Sequence, residues 1–258
     1  MADNLVAEEL RPIEISAVFG IAFALIRSHP LIVFGLSLLI GALPTRLLYY
    51  AAAIAPPLST TRDLLGLTPF LGGMLLQTIV AGTLVGTALL AHQGNGTGPG
   101  AGLRAGLRRS IPLILVACLY TLGCLIGLCA LLVPFLFLAV RWWVVGPVVV
   151  AEDIGVSAAF GRSSELTKGT RLRILALLFI TSLVQGFFSS VIILLFLPLV
   201  GLSAMAEDFT TDPAATAIKA LAETISYGFI ASIQCALYIE LKQRRDGPMT
   251  DQLRDIFA

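Results

Sequence analysis

PFLFLAVRWWVVGPVVVAEDIGVSAAFGRSSELTKGTRLR, residues 134–173, decides the fold class. Its first half is an apolar run interrupted by one cation, Arg141, beside Trp142 and Trp143. Its second half starts at Glu152-Asp153, continues as a short amphipathic segment and ends in a cluster of positive charge. A run of this length without carboxylates suits hydrocarbon, and the acidic stop and basic exit suit its edge.

The rest of the chain has the same character. Of its 258 residues, 57% are hydrophobic and 13% charged. About a quarter of a soluble domain is charged, so this balance places the chain in a bilayer. A net charge of +1 gives no ground for a nucleic-acid partner. The start, MADNLVAEEL, is acidic and lacks both a basic n-region and a small-residue cleavage site, so no cleaved signal peptide is expected. Insertion would then rely on the first transmembrane helix.

Six crossings are predicted: Leu31 to Ala53, Phe70 to His92, Ile111 to Leu132, Phe135 to Ala151, Arg173 to Leu199 and Ala217 to Leu241. Between them lie three amphipathic stretches, Ile13 to Arg27, Ala101 to Arg109 and Val156 to Lys168, each expected at the membrane interface. His29-Pro30 should break the first from its crossing, Pro134 should mark a tight return, and Gly169 should stop the third. The fold class is therefore all-α integral membrane, one domain over 13–241, with a polar tail at 1–12 and a C-terminal tail at 242–258.

Orientation follows from the basic residues. With the N-terminus inside, the inner segments hold Arg11, Arg27, Arg104, Arg108, Arg109, Arg162, Lys168, Arg171, Arg173, Lys242, Arg244, Arg245 and Arg254. The outer segments hold Arg46, Arg62 and Lys219. This asymmetry predicts that both termini are cytoplasmic. The matching stretches AFALIRSHPLIVFGL, AGLRRSIPLILVACL and AFGRSSELTKGTRLRILALLF further suggest three helix–hairpin repeats, arranged around an axis normal to the membrane.

Small residues at spacing four, Gly82-xxx-Gly86, Gly123-xxx-Gly127 and Ser182-xxx-Gly186-xxx-Ser190, predict close helix contacts. Cys118, Cys124, Cys129 and Cys235 lie in apolar runs without metal-ligand spacing and read as packing residues. QGNGTGPG, residues 93–100, lacks the strand and GK[ST] of a phosphate loop and reads as a linker. Its Asn95-Gly96-Thr97 matches the glycosylation pattern, a chance match on the cytoplasmic side.

Polar residues inside apolar runs give the sharper signal. Gln77, Arg141 and Glu223 are expected at one depth as an intramembrane polar cluster, with Glu223 pairing with Arg141. Lys219, four residues before Glu223, is the rival partner through an intrahelical bridge. Arg104, Arg108, Arg109, Arg162, Lys168, Arg171 and Arg173 are candidate contacts for anionic phospholipid head groups at the cytoplasmic leaflet.

RWWVVGPVVVAED, then SAAFGRSSELTKG, with AFALIRSHP early and YIELKQRRDG late, resembles the membrane domain attached to some bacterial glycerophosphoryl diester phosphodiesterases. The resemblance spans roughly residues 15–247 and implies a bacterial inner-membrane protein. That family's catalytic activity belongs to a separate barrel domain of about 250 residues, for which this chain has no room. His29 and His92 stand alone. The expectation is a non-enzymatic protein without catalytic, metal or cofactor residues, binding or organising phospholipid or a membrane partner. The alternatives are a lipid or small-molecule transporter, supported by Arg141 and Gln185, and an accessory to glycerophosphodiester metabolism.

Overall fold

A computed structural model describes residues 13–53, 71–86, 110–200 and 213–246. Every element in these residues is helical: α1 (Ile15–Ser28), α2 (Pro30–Leu36, continued by a wider π turn Ser37–Ala42 and by Leu43–Ala53), α3 (Leu71–Gly86), α4 (Ser110–Ala130), α5 (Leu132–Arg141), α6 (Val145–Ala151), α7 (Val156–Leu166), α8 (Arg171–Val200) and α9 (Pro213–Asp246). Among the described residues five stretches are long and apolar enough to cross a membrane: Pro30–Tyr50, Ile111–Ala130, Leu132–Ala151, Arg171–Phe196 and Ala215–Asp246. The described part of α3 is apolar but shorter. The stretch Ala101 to Arg109, and with it Arg104, Arg108 and Arg109, lies outside the described residues.

Proline sets the breaks. Pro30 opens α2 at its first position, where a missing N–H costs nothing, and His29 ends α1 in a non-helical conformation. Pro134 falls in the first turn of α5, leaving Leu131 as the only residue outside helix between α4 and α5. In α2, Pro44 cannot donate to the carbonyl of Ile40, and the chain widens just before it: Leu43 N–H reaches Leu38 O, five residues back. Gly169 takes a left-handed φ of 84° in the turn that separates α7 from α8, as its type permits.

The chain packs around its last helix. Over the apolar window of α9, 56% is buried, against 11% for α8. The α9 face carrying Ala231, Cys235, Tyr238 and Leu241 is enclosed by α1, α2 and α6. A Cβ on Gly228 would fall 3.1 Å from Val33 Cγ1, and one on Gly41 would meet the Tyr227 ring, so small residues on both helices permit the crossing. The stretch 134–173 is therefore one wall of the bundle, and α9 is its axis.

Two glycine pairs fit the helix contacts predicted for them. A Cβ on Gly82 would fall 3.1 Å from Gly146 O, and one on Gly86 2.9 Å from Val150. On α4, Gly123 admits the Trp142 ring and Gly127 the backbone of Phe135. These pairs clamp α5 and α6 from two sides. Gly186 behaves differently: nothing lies within 4 Å of it, and Ser182 and Ser190 are exposed beside it. The stripe on α8 makes no helix contact among the described residues.

The two amphipathic stretches within the described residues do not lie free. α1 buries Val18, Ala22 and Leu25, and its Phe19 and Phe23 rings meet Phe229 of α9 at 6.4 and 6.0 Å. α7 buries Ala159, Ser163 and Leu166, with Thr167 following, and packs against α6, α4 and α9. The faces read as lipid-facing are thus packed on other helices. Cys124 and Cys235 are buried free thiols, while Cys118 and Cys129 are exposed.

Candidate functional site

The wall formed by α5 and α6 is broken over Trp142–Val144, and the sequence explains how. Pro147 has no N–H to give the carbonyl of Trp143, four residues back. Val145 N–H turns instead to Trp142 O at 3.0 Å, which tightens the turn and frees the Arg141 carbonyl as well. Free carbonyls in an apolar setting must find donors, since each unsatisfied group costs several kcal/mol there. Ser163 Oγ donates to Arg141 O at 3.0 Å and Thr167 Oγ1 at 3.3 Å, while Gln234 Nε2 of α9 donates to Trp143 O at 3.3 Å. The Trp142 ring then stacks edge-on to Phe160, with centroids 5.0 Å apart. α7 is therefore the polar lining of a helix break.

Glu223 does not pair with Arg141. It takes Arg46 of α2, with Arg46 Nε donating to Glu223 Oε2 at 2.8 Å and Nη2 to Oε1. The guanidinium also lies 4.4 Å from the Tyr49 ring centroid. One turn further along α9, Tyr227 and Thr45 share a hydroxyl–hydroxyl bond of 2.8 Å. Lys219 acts on Glu223 through space, behind Arg46. Arg46, counted in the sequence with the outer-segment cations, instead faces α9 beside Tyr227.

Gln77 does lie near this group. Its Nε2 is 3.5 Å from both Tyr227 O and Gln234 Oε1, and its buried Oε1 has no partner. The two glutamines link the Glu223 end of α9 to the break at Trp143. Of the three residues expected together, Gln77 and Glu223 share α9 as their floor, and Arg141 is held elsewhere. Its Nε donates to Ser164 Oγ at 2.7 Å.

At the other end of α9, Glu152 gathers three donors. Arg162 Nε approaches at 3.0 Å, Lys242 Nζ at 3.7 Å and the Tyr238 hydroxyl at 3.3 Å. Arg162 also bonds Asp246 and is 4.0 Å from Glu165. Partial burial disfavours the Arg162 charge, but Glu152 and Asp246 outweigh this and raise it above its ordinary value. Arg162 is thus a tie between α7, α6 and α9, and its donors face protein. Lys168 and Arg173 are exposed, and Arg171 lies 4.8 Å from the Phe137 ring centroid. Gln185 is half-buried on α8, and the described contacts do not join it to Arg141.

Sequence reasoning missed Arg46, Gln234, Ser163 and Thr167. Gly146-Pro147 inside an apolar run was the available sign that neighbouring carbonyls would need outside donors.

Residues 100–241 match the family model described as a domain of unknown function (DUF7847). No curated protein and no solved structure matches the chain.

Proposed function

We propose that the chain, which belongs to the DUF7847 family, is a non-enzymatic membrane protein that binds or organises phospholipid. In this reading it crosses the inner membrane six times, α3 being part of the second span, and keeps both termini in the cytoplasm. The observation that carries the proposal is a division of surfaces. α8 turns Leu172, Phe179, Leu183, Phe187, Leu194 and Leu195 outward, a face suited to acyl chains. The end where α8 starts and α9 stops carries Lys168, Arg171, Arg173, Lys242, Arg244 and Arg245, suited to anionic head groups. Polar side chains deeper in the bundle are mostly engaged with one another rather than converging on a reacting centre.

The repeat reading has support of its own. α1, from the first unit, packs on α9 of the third, and α7, from the third, packs on α6 of the second. A cyclic exchange of short helices among three units would give this arrangement.

The break at Trp142–Val144 and the π turn of α2 favour a second reading, a lipid translocator, because transporters use interrupted helices at their sites. Satisfied carbonyls at the break favour the static reading.

Purification from native membrane with mass spectrometry of retained lipids tests the proposal. Retention of a defined phospholipid class through purification is expected. Recovery of bulk lipid in membrane proportion, or of none, would contradict it.

A further inference from the structure

Four arginines in the bundle fall into two kinds. Arg46 and Arg162 each reach a carboxylate. Arg141 and Arg171 reach none among the described residues. Arg141 spends one donor, Nε, on Ser164, whose own hydroxyl is committed to Phe160 O. Arg171 makes no hydrogen bond among the described residues, and its Nε is buried without a partner.

The two side chains are both related to one face of α5. Arg171 stacks on Phe137, and Phe137 lies one turn before Arg141 on α5, so both reach the same helix face. The fold enforces this. Thr167 is tied to the Arg141 carbonyl, so α8, which starts four residues later, begins at the level of the break. Each guanidinium carries five N–H donors and is permanently charged, and two of them on one face repel unless an anion lies between them.

We propose that Arg141 and Arg171 form a phosphate site, and that its occupant is the head-group phosphate of one anionic phospholipid. The proposal rests on the phospholipid-binding reading above and gives it a location. A phosphate offers oxygens to two arginine forks at once, a geometry that a single lysine does not reproduce. Phe137 holds the Arg171 plane from below, leaving its outer edge for the ligand. The source is lipid rather than free phosphate because the site opens among apolar side chains. Phe137 is 44% exposed and Leu172 83%, and the exposed length of α8 leads away from them for the acyl chains.

The test uses the full chain, delipidated in detergent and titrated with dioleoylphosphatidylglycerol under native mass spectrometry. Dioleoylglycerol and inorganic phosphate serve as parallel probes. One phosphatidylglycerol per chain is expected, with no binding of dioleoylglycerol. Loss of a charge-assisted fork should weaken binding about tenfold in Arg171→Gln, and Arg27→Gln, which removes an exposed charge on α1 outside the proposed head-group surface, should leave it unchanged. Arg141→Gln should weaken it similarly, but Arg171 is the cleaner variant because it makes no hydrogen bond among the described residues. Unchanged binding in Arg171→Gln, or equal loss in Arg27→Gln, overturns the site. Inorganic phosphate displacing the lipid at equal concentration overturns the lipid as occupant. If lipid is retained from native membrane but Arg171→Gln keeps it, this site fails while the broader function stands; if none is retained, both fail.

Discussion

Arg46 and Arg141 both stand inside apolar spans, yet the bundle treats them in opposite ways. Arg46 is turned onto Glu223 and stacked on Tyr49, so its charge is answered within the protein. Arg141 is given one serine hydroxyl and, among the described residues, no carboxylate. The same contrast separates Arg162, which ties Glu152 to Asp246, from Arg171, which rests on an aromatic ring. Paired arginines hold helices together. Unpaired ones, kept at a cost in an apolar setting, have a use outside the chain.

Stability in detergent should rank the four accordingly. Glu223→Gln leaves Arg46 without its counter-charge, and about 3 kcal/mol should be lost. Adding Arg46→Gln should recover part of that, which a double-mutant cycle read by thermal unfolding would measure. Additive losses would break the pairing. Arg162→Gln comes next, at about 1–2 kcal/mol, because its network is nearer the rim and Lys242 still reaches Glu152. Arg141→Gln removes one hydrogen bond and should cost about 1 kcal/mol. Arg171→Gln should stay within about 0.5 kcal/mol of the parent. A larger loss there would show Arg171 to be structural, and the division would lose its fourth member.

Much of the architecture was written in plain residue patterns. Apolar runs gave the helices within a few residues of their observed ends, and Pro30, Pro134 and Gly169 mark turns where expected. The glycine pairs on α3 and α4 are used as spaced. What the pattern could not yield was direction. Trp142, Trp143, Val144 and Val145 read as uninterrupted helix, although Pro147 removes the bond that would keep it so. The partners that answer the freed carbonyls lie 22 and 26 residues away, on and just after α7, and 91 away on α9, distances no local pattern spans. Helical periodicity on α7 groups the apolar Val156, Ala159, Phe160 and Leu166 and says nothing of Ser163 and of Thr167 just after it, whose hydroxyls dock the helix. The expected Arg141–Glu223 pair failed for the same reason: equal depth does not fix which way a side chain points.

The division of arginines is tested most directly by measuring two properties of one variant. After delipidation Arg171→Gln and the parent chain should unfold at the same temperature in detergent, while the variant purified from membrane retains about one tenth of the phosphatidylglycerol held by the parent. Equal unfolding temperatures with equal retained lipid would contradict the account.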